Sequence, residues 1–496
     1  MSIFAKKKFY LTTAIPYVNS WPHAGHALEF VQTDAIARWH KLLGEDVFLT
    51  TGADENSLKN VQAAEEAGIT TQQLCDKNSA IFKELAINIG LSFSSFLRSS
   101  IKEDHWPGTY KLWQLCKKSG DIYKKKYKGL YCVGCETFYT QNELDNGVCP
   151  EHKKKPELVE EENYFFRLSK YQKQIEKLIE TDKLKVIPGT RKNEVLSFIR
   201  QGLEDFSISR SKERAKGWGV PVPGDDSQII YVWVDALGIY LTGIGYGTNE
   251  KLFKKWWAAD LHVIGKGITR FHAVYWPAIL LSAGLPLPKS ILVHGYITAE
   301  GQKMSKTLGN VVNPLELLKK YSADAIRYFL IKEIPVFEDG DFSEKAMVNR
   351  INGELVGDLG NLIYRVLSLA EKFKGKIEGK PELEERLDLD KIKKLMEDYR
   401  LNEALEGIWE FIRATNKYVN GNEPWKLQGR ELGNVLYNLL EACRIISILI
   451  SPFLPETAGK INKQLGVKSG RLKDGKFGKF IGKINKGDYL FKKIEK

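Results

Sequence analysis

The residues best suited to chemistry fall in two short groups, His23-Ala24-Gly25-His26 and Lys303-Met304-Ser305-Lys306-Thr307. Imidazoles can donate to phosphate oxygens as negative charge builds in a transition state, and ammonium groups neutralise the same charge. Gly25 has no Cβ, so the backbone there can lie close to a flat ligand such as a nucleotide base. In this order and separation the groups describe a site that activates a carboxylate with ATP. That step is an in-line displacement at the α-phosphorus with pyrophosphate leaving, and it asks the protein for positioning and charge stabilisation. Mg2+ bridging the phosphates is expected with the nucleotide. Either group alone is weak, since a lone histidine at a helix start is ordinarily structural and a lysine-rich turn ordinarily solvated.

A third cluster has metal-ligand spacing. Cys132 and Cys135 are separated by two residues, and Cys149 and His152 repeat that spacing fourteen residues on. The pattern favours one Zn2+ over disulfides. Three thiolates and an imidazole fill a tetrahedral shell and leave no position for water, so the zinc reads as structural. Cys75, Cys116 and Cys443 read as packed thiols.

These groups need a frame to hold them. Phe9–Thr13 reads as a strand, Ala27–Leu43 as a helix and Asp46–Thr51 as a second strand, a βαβ opening that implies a parallel sheet. His23, His26 and Asp54 each follow a strand, which places them on the rim where such sheets bind ligands. The expected organisation is an α/β, Rossmann-like catalytic domain split by a zinc-containing insertion and followed by an α-helical bundle. Residues 1–115 form its first half, 116–225 the connective insertion, and 226–300 the second half. Residues 301–350 carry the Lys-Met-Ser-Lys loop and linking helices, 351–465 the helical domain, and 466–496 a basic tail packed on the body. Lysine runs, the cysteine cluster and the acidic stretch 157–162 interrupt the alternation in the insertion. It resumes at 229–233, 261–264 and 291–294. Ala404, Leu405, Ile408, Trp409 and Ile412 mark an amphipathic helix, and 373–390 reads as a connection rich in glycine and charge.

The paired motifs, together with Cys132-Val133-Gly134-Cys135, Tyr231-Val232-Trp233-Val234-Asp235-Ala236 and Gly360-Asn361-Leu362 with Arg365, resemble the methionyl-tRNA synthetase family of class I aminoacyl-tRNA synthetases. The likeness runs from about Phe9 to Pro455. It implies that His23, His26, Lys303 and Lys306 are catalytic, and that ATP is held by these four with Gly25 and His294. It implies a methionine pocket of Ile15, Tyr17, Asp54, Trp233, Leu237, Tyr240, His272 and Trp276, with Asp54 on the α-ammonium and His272 near the sulfur. It assigns the anticodon of tRNA(Met), initiator tRNA included, to Asn361, Arg365 and Trp425, read by stacking and hydrogen bonds. Five positions depart from the family pattern: Ala24 replaces an aliphatic residue, Asn56-Ser57 replaces His-Gly, and Thr307 replaces a serine. Gly267 stands where an acid commonly contacts the ribose.

The net charge is +12 and the pI near 9.0, which fits a polyanionic partner and equally a soluble lysine-rich surface. No apolar run reaches the length needed to cross a bilayer, and the basic N-terminus is followed by no apolar signal segment, so no membrane partner and a cytoplasmic location are the expectations. With no obvious further dimerisation domain, a monomer is expected. Three rival readings fit less well. Branched-chain synthetases resemble larger proteins with an inserted hydrolytic domain, and a cysteine synthetase needs zinc at its substrate. A small-molecule nucleotidylyltransferase has no need of the C-terminal helices. A fourth rival, an inert tRNA-binding scaffold, has no need of His23, His26, Lys303 and Lys306.

Overall fold

The computed structural model describes residues 6–134, 137–139, 141–150, 153–304 and 309–495, with the side chains of 137, 142 and 303 left aside. Six parallel strands form the main sheet: β1 (Lys8–Thr12), β2 (Asp46–Ala53), β3 (Ser95–Arg98), β4 (Lys185–Ile187), β5 (Leu261–Gly265) and β6 (Ser290–His294). Their order is β3-β2-β1-β5-β6-β4, so the order in which the chain adds strands reverses between β1 and β5. That reversal opens a crevice beyond the carboxyl ends of the strands. β1 and β5 are buried over nearly their whole length, as a sheet covered on both faces requires. Helix α1 (Ala24–Leu43) follows β1 and packs thirteen buried residues against the core.

Two expectations for the middle of the chain are corrected. The lysine run and the acidic stretch do not merely interrupt the alternation. They are the paired strands Ile122–Cys132 and Glu157–Phe166, in a register that sets Lys126 opposite Glu162 and Lys128 opposite Glu160. Unlike charges across an antiparallel ladder stabilise the pairing that each run alone would disfavour. The stretch 116–225 also returns to the main sheet, because β4 pairs with β6 at Ser290↔Lys185. Three residues are too few to show a period in sequence.

The stretch 229–233 is a further correction. The strand Asp225–Ile230 belongs to a small antiparallel sheet, and Trp233 lies in the following helix α2 (Val232–Thr242). Ten of the eleven residues of α2 are buried, and a helix buried on nearly every side has no periodicity to separate it from a buried strand.

Beyond 344 the chain is mostly helical. Helices α3 (Ala323–Glu333), α4 (Asn361–Lys372), α5 (Leu401–Asn422) and α6 (Gly429–Ile450) share one core with α1. α6 is long and apolar enough to span a bilayer by length and composition, contrary to the expectation for this chain, and most of it is buried inside the bundle. The segment 373–390 is an irregular connection with one short turn at Glu384–Arg386. In the tail, Leu472 and Leu490 are buried and Phe477, Phe480, Ile484 and Phe491 pack on the core, while Ile481 is solvent-exposed.

Arg327 on α3 ties the two halves together. Its fully buried guanidinium pairs with Asp34 of α1 at 2.8 Å and donates to the carbonyls of Phe453 (2.8 Å), Pro452 (3.0 Å) and Ile89 (3.2 Å). A buried charge is tolerable only with such a full complement of partners.

Candidate active site

The two histidines of the first motif cap α1 and each other. His23 is the N-cap, and the Gly25 amide donates to its Nδ1 at 3.0 Å. The His23 amide donates to Nδ1 of His26 at 3.1 Å. A ring nitrogen that accepts carries no proton, so both neutral rings are protonated on Nε2. Burial lowers the pKa of His23, and burial together with His23 lowers that of His26 further. The helix therefore presents two neutral N–H donors at its electropositive end. Gly25 has a structural reason as well: a Cβ there would lie 2.8 Å from Cε1 of His23.

His294, at the end of β6, faces the same helix. Its Nδ1 lies 2.7 Å from the Gly295 carbonyl, and its Nε2 lies 3.0 Å from Oε2 of Glu29. Two oxygens thus hold the ring in place from opposite sides. Glu29 also takes the Ala14 amide at 2.8 Å, joining the ends of β1 and β6 to α1. Sequence reasoning missed Glu29. Its spacing, one helical turn beyond His26, is the signal that marks it.

The aromatic residues assemble beside these groups. Tyr17 meets Trp233 edge-on with ring centroids 6.2 Å apart, and Trp233 stacks on Phe271 at 3.8 Å and 4°. Phe271 is a second omission, adjacent in sequence to His272. Tyr17 is bridged to Asp54, whose amide donates to the Pro16 carbonyl at 2.8 Å. The Ile15-Pro16-Tyr17 segment thereby docks on the end of β2. Leu237, Tyr240 and Trp276 are buried with Asp54 and His272. A cavity of about 530 Å³ opens among Tyr17, Trp233, Lys266, Gly267, Phe271 and Tyr296.

His272 sits in the wide helical turn Phe271–Tyr275, where the Trp276 amide reaches back to the Phe271 carbonyl. Such turns recur at functional sites. Nδ1 of His272 lies 2.9 Å from the Ile268 carbonyl and Nε2 lies 2.8 Å from the Tyr240 hydroxyl. Nδ1 therefore donates to the carbonyl, and Nε2 accepts from Tyr240. Both nitrogens are engaged within the protein, and burial pushes the pKa of His272 down to about 4. Burial raises that of Tyr240 well above its ordinary value.

Asp235, at the end of the Tyr-Val-Trp-Val-Asp motif, is fully buried and structural. It accepts from Asn56 Nδ2 at 2.8 Å and lies 2.7 Å from Nε2 of His105. Asn56 also donates to the Ser99 carbonyl at 3.0 Å. The residue that departs from the family pattern thus ties the loop after Asp54 to the helix that carries Trp233.

The second motif follows a hairpin in which Thr298 pairs with Lys303 across the Glu300-Gly301 turn. Lys306 lies outside the described residues, as does the side chain of Lys303. In the third cluster, Cys132 ends a strand and Cys149 is fully buried in a turn, its sulfur 3.8 Å from the Tyr139 hydroxyl. Cys135 and His152 lie outside the described residues, and among those described no three metal-ligating side chains converge. The two buried thiols with a polar neighbour are compatible with the zinc donor set that the spacing suggests.

Far from the crevice, Asn361 and Arg365 share one face of α4, four residues apart. Arg365 donates to Oδ1 of Asn420 at 3.0 Å, and its guanidinium lies 5.7 Å from the Trp425 ring. Trp425 is 53% exposed, so it does not cap the bundle core.

Comparisons with known proteins bear on the family and the fold. A family model described as tRNA synthetases class I (M) matches residues 9–155 and 140–367, and one for the anticodon-binding domain of tRNA ligase matches 386–479. The chain is 42% identical to the methionine–tRNA ligase of Thermotoga maritima, over 98% of this chain and 80% of that one. It is likewise 42% identical to that of Brucella suis, over 93% and 92%. The solved structure of Mycobacterium tuberculosis methionyl-tRNA synthetase in complex with methionyl-adenylate superposes with a TM-score of 0.92 at 38% identity, over 98% of this chain and 99% of that one.

Proposed function

The chain belongs to the methionyl-tRNA synthetase family, and from this premise we infer that it is a methionine–tRNA ligase using the residues described above. Methionine and ATP give methionyl-adenylate and pyrophosphate. The 3'-terminal ribose of tRNA(Met), initiator tRNA included, then takes the methionyl group and AMP leaves.

The reciprocal capping of His23 and His26 carries the assignment of residues. It fixes both Nε2–H groups as donors where charge develops on the transferring phosphate, and fixed donors need no reorganisation at the moment of reaction. Lys303 and Lys306 are proposed, on their motif, to neutralise the departing pyrophosphate. His294 with Glu29 belongs to the nucleotide side of the crevice. Asp54 takes the methionine ammonium as a charge-assisted partner. Ile15, Tyr17, Trp233, Leu237, Tyr240, Phe271 and Trp276 enclose the flexible, polarisable side chain, and sulfur packs well on aromatic rings. Because His272 is committed to Tyr240 and Ile268, it acts on the thioether by fixing the Tyr240 hydroxyl.

Mg2+ accompanying ATP would supply charge neutralisation at the phosphates. We propose that Cys132, Cys135, Cys149 and His152 hold one Zn2+, which would brace the tip of the insertion. Asn361, Arg365 and Trp425 are proposed to read the anticodon, with Trp425 as the stacking surface. A monomer in the cytoplasm, without a membrane partner, remains part of the same reading. Pyrophosphate exchange measured with each of the twenty amino acids tests the function: exchange with methionine alone supports it, and exchange with cysteine or leucine instead overturns it.

A further inference from the structure

We propose that the Tyr296 hydroxyl binds a ribose hydroxyl of ATP, taking over the contact that a side chain at position 267 would make. A Cβ built on Gly267 overlaps the Tyr296 hydroxyl, while the next nearest atom, the ring carbon that bears it, stands 3.5 Å away. Gly267 has a backbone conformation open to other residues, since its φ lies outside the left-handed region. The hydroxyl is thus the one atom that a side chain at 267 would have to displace.

The place of that hydroxyl in the crevice gives its ligand. Gly265 and Gly267 run past the carboxyl end of β5, and a Cβ on Gly265 would stand 3.6 Å from His294 and 3.7 Å from the Tyr296 ring. Across the crevice, a Cβ on Gly25 would stand 3.7 Å from Ile297, the neighbour of Tyr296. Tyr296 thus lies between the strip beside α1 and the two glycines of β5, at the reversal point where nucleotides lie on such sheets. The histidines of α1, with Gly25 between them, hold one side of this gap and the two glycines of β5 the other, so the sugar of a nucleotide bound there passes beside the Tyr296 hydroxyl.

Tyr296 is also held in advance. Its amide donates to Oδ1 of Asp339 at 2.8 Å, and the Lys266 ammonium, itself paired with Asp339 at 2.6 Å, sits 4.6 Å from its ring centroid. A side chain fixed before the ligand arrives spends little of its hydrogen bond on ordering.

This inference rests on the ligase reading, and wild-type exchange with methionine is the control that separates the two: its absence sinks the ligase, not Tyr296. Pyrophosphate exchange is then measured with ATP, 2'-deoxy-ATP and 3'-deoxy-ATP. Tyr296→Phe should raise KM for ATP about five- to tenfold, the worth of one neutral hydrogen bond, with KM for methionine unchanged as evidence of an intact fold. The wild type should lose a similar factor with one of the deoxy nucleotides, and Tyr296→Phe should lose little further with that one. Gly267→Asp alone should weaken ATP binding through overlap with the hydroxyl. In the Gly267→Asp/Tyr296→Phe pair the space is vacant, so discrimination against the same deoxy nucleotide should return. Equal penalties for Tyr296→Phe with all three nucleotides, or no return of discrimination in the pair, would overturn the proposal.

Discussion

Replacing His23 separates its capping of α1 from the donation to phosphate proposed for it. Asparagine is as good an N-cap as any residue, whereas alanine forfeits about 1 kcal/mol of helix stability. The His23 amide that binds His26 belongs to the backbone, so it survives either change. Neither substituent presents the imidazole Nε2–H. Loss of one donor preorganised for a transition state costs about 2.7–4 kcal/mol, or roughly 100- to 1000-fold in kcat. Both His23→Asn and His23→Ala should therefore lose that factor in methionine-dependent pyrophosphate exchange at saturating ATP. Only His23→Ala should also unfold at lower denaturant concentration. If His23→Asn exchanges within about tenfold of wild type, the capping geometry is structural and the tautomer argument fails.

Three further expectations follow from particular side chains. Trp425→Ala should slow aminoacylation of tRNA(Met) by about 5- to 150-fold, the worth of about 1–3 kcal/mol of base stacking, and leave pyrophosphate exchange unchanged; equal loss in both assays would make Trp425 structural. Cys132→Ser with Cys149→Ser should abolish bound zinc by mass spectrometry, and zinc at wild-type stoichiometry would refute the ligand set. Because burial holds His272 near 4 against an unfolded value of 6.5, the unfolded chain binds the extra proton first as pH falls. Stability should thus be full above pH 6.5 and decline toward pH 4, by roughly 3 kcal/mol from this group; His272→Gln should flatten that slope in denaturant titrations, and an unchanged slope would contradict it.

Much of the frame was legible because its signals are local and periodic. β1, α1 and β2 were placed within a few residues, since a buried strand, a capped amphipathic helix and a second strand follow one another without interruption. What escaped depends on pairing over distance. The lysine run reads as a strand only once the acidic run lies opposite it, and β4 is a strand only because β6 is beside it. Trp233 lies on a helix rather than the expected strand, since α2 is buried on nearly every side.

The candidate site divides in the same way. The histidines, aromatics and Asp54 were named from their motifs, and the structure brings them to one crevice. Their pairings were not: Glu29, Phe271 and the Asn56–Asp235–His105 contacts come together from residues as much as 265 positions apart. The tautomers of His23, His26 and His272 emerge only from which atom faces each ring nitrogen.

The most direct test of the whole account is ATP–pyrophosphate exchange by the wild-type chain against each amino acid in turn, followed by charging of tRNA(Met). Exchange supported by methionine, with methionyl-tRNA formed on addition of that tRNA, is the predicted result. Exchange with another amino acid and none with methionine would contradict it, as would no exchange with any.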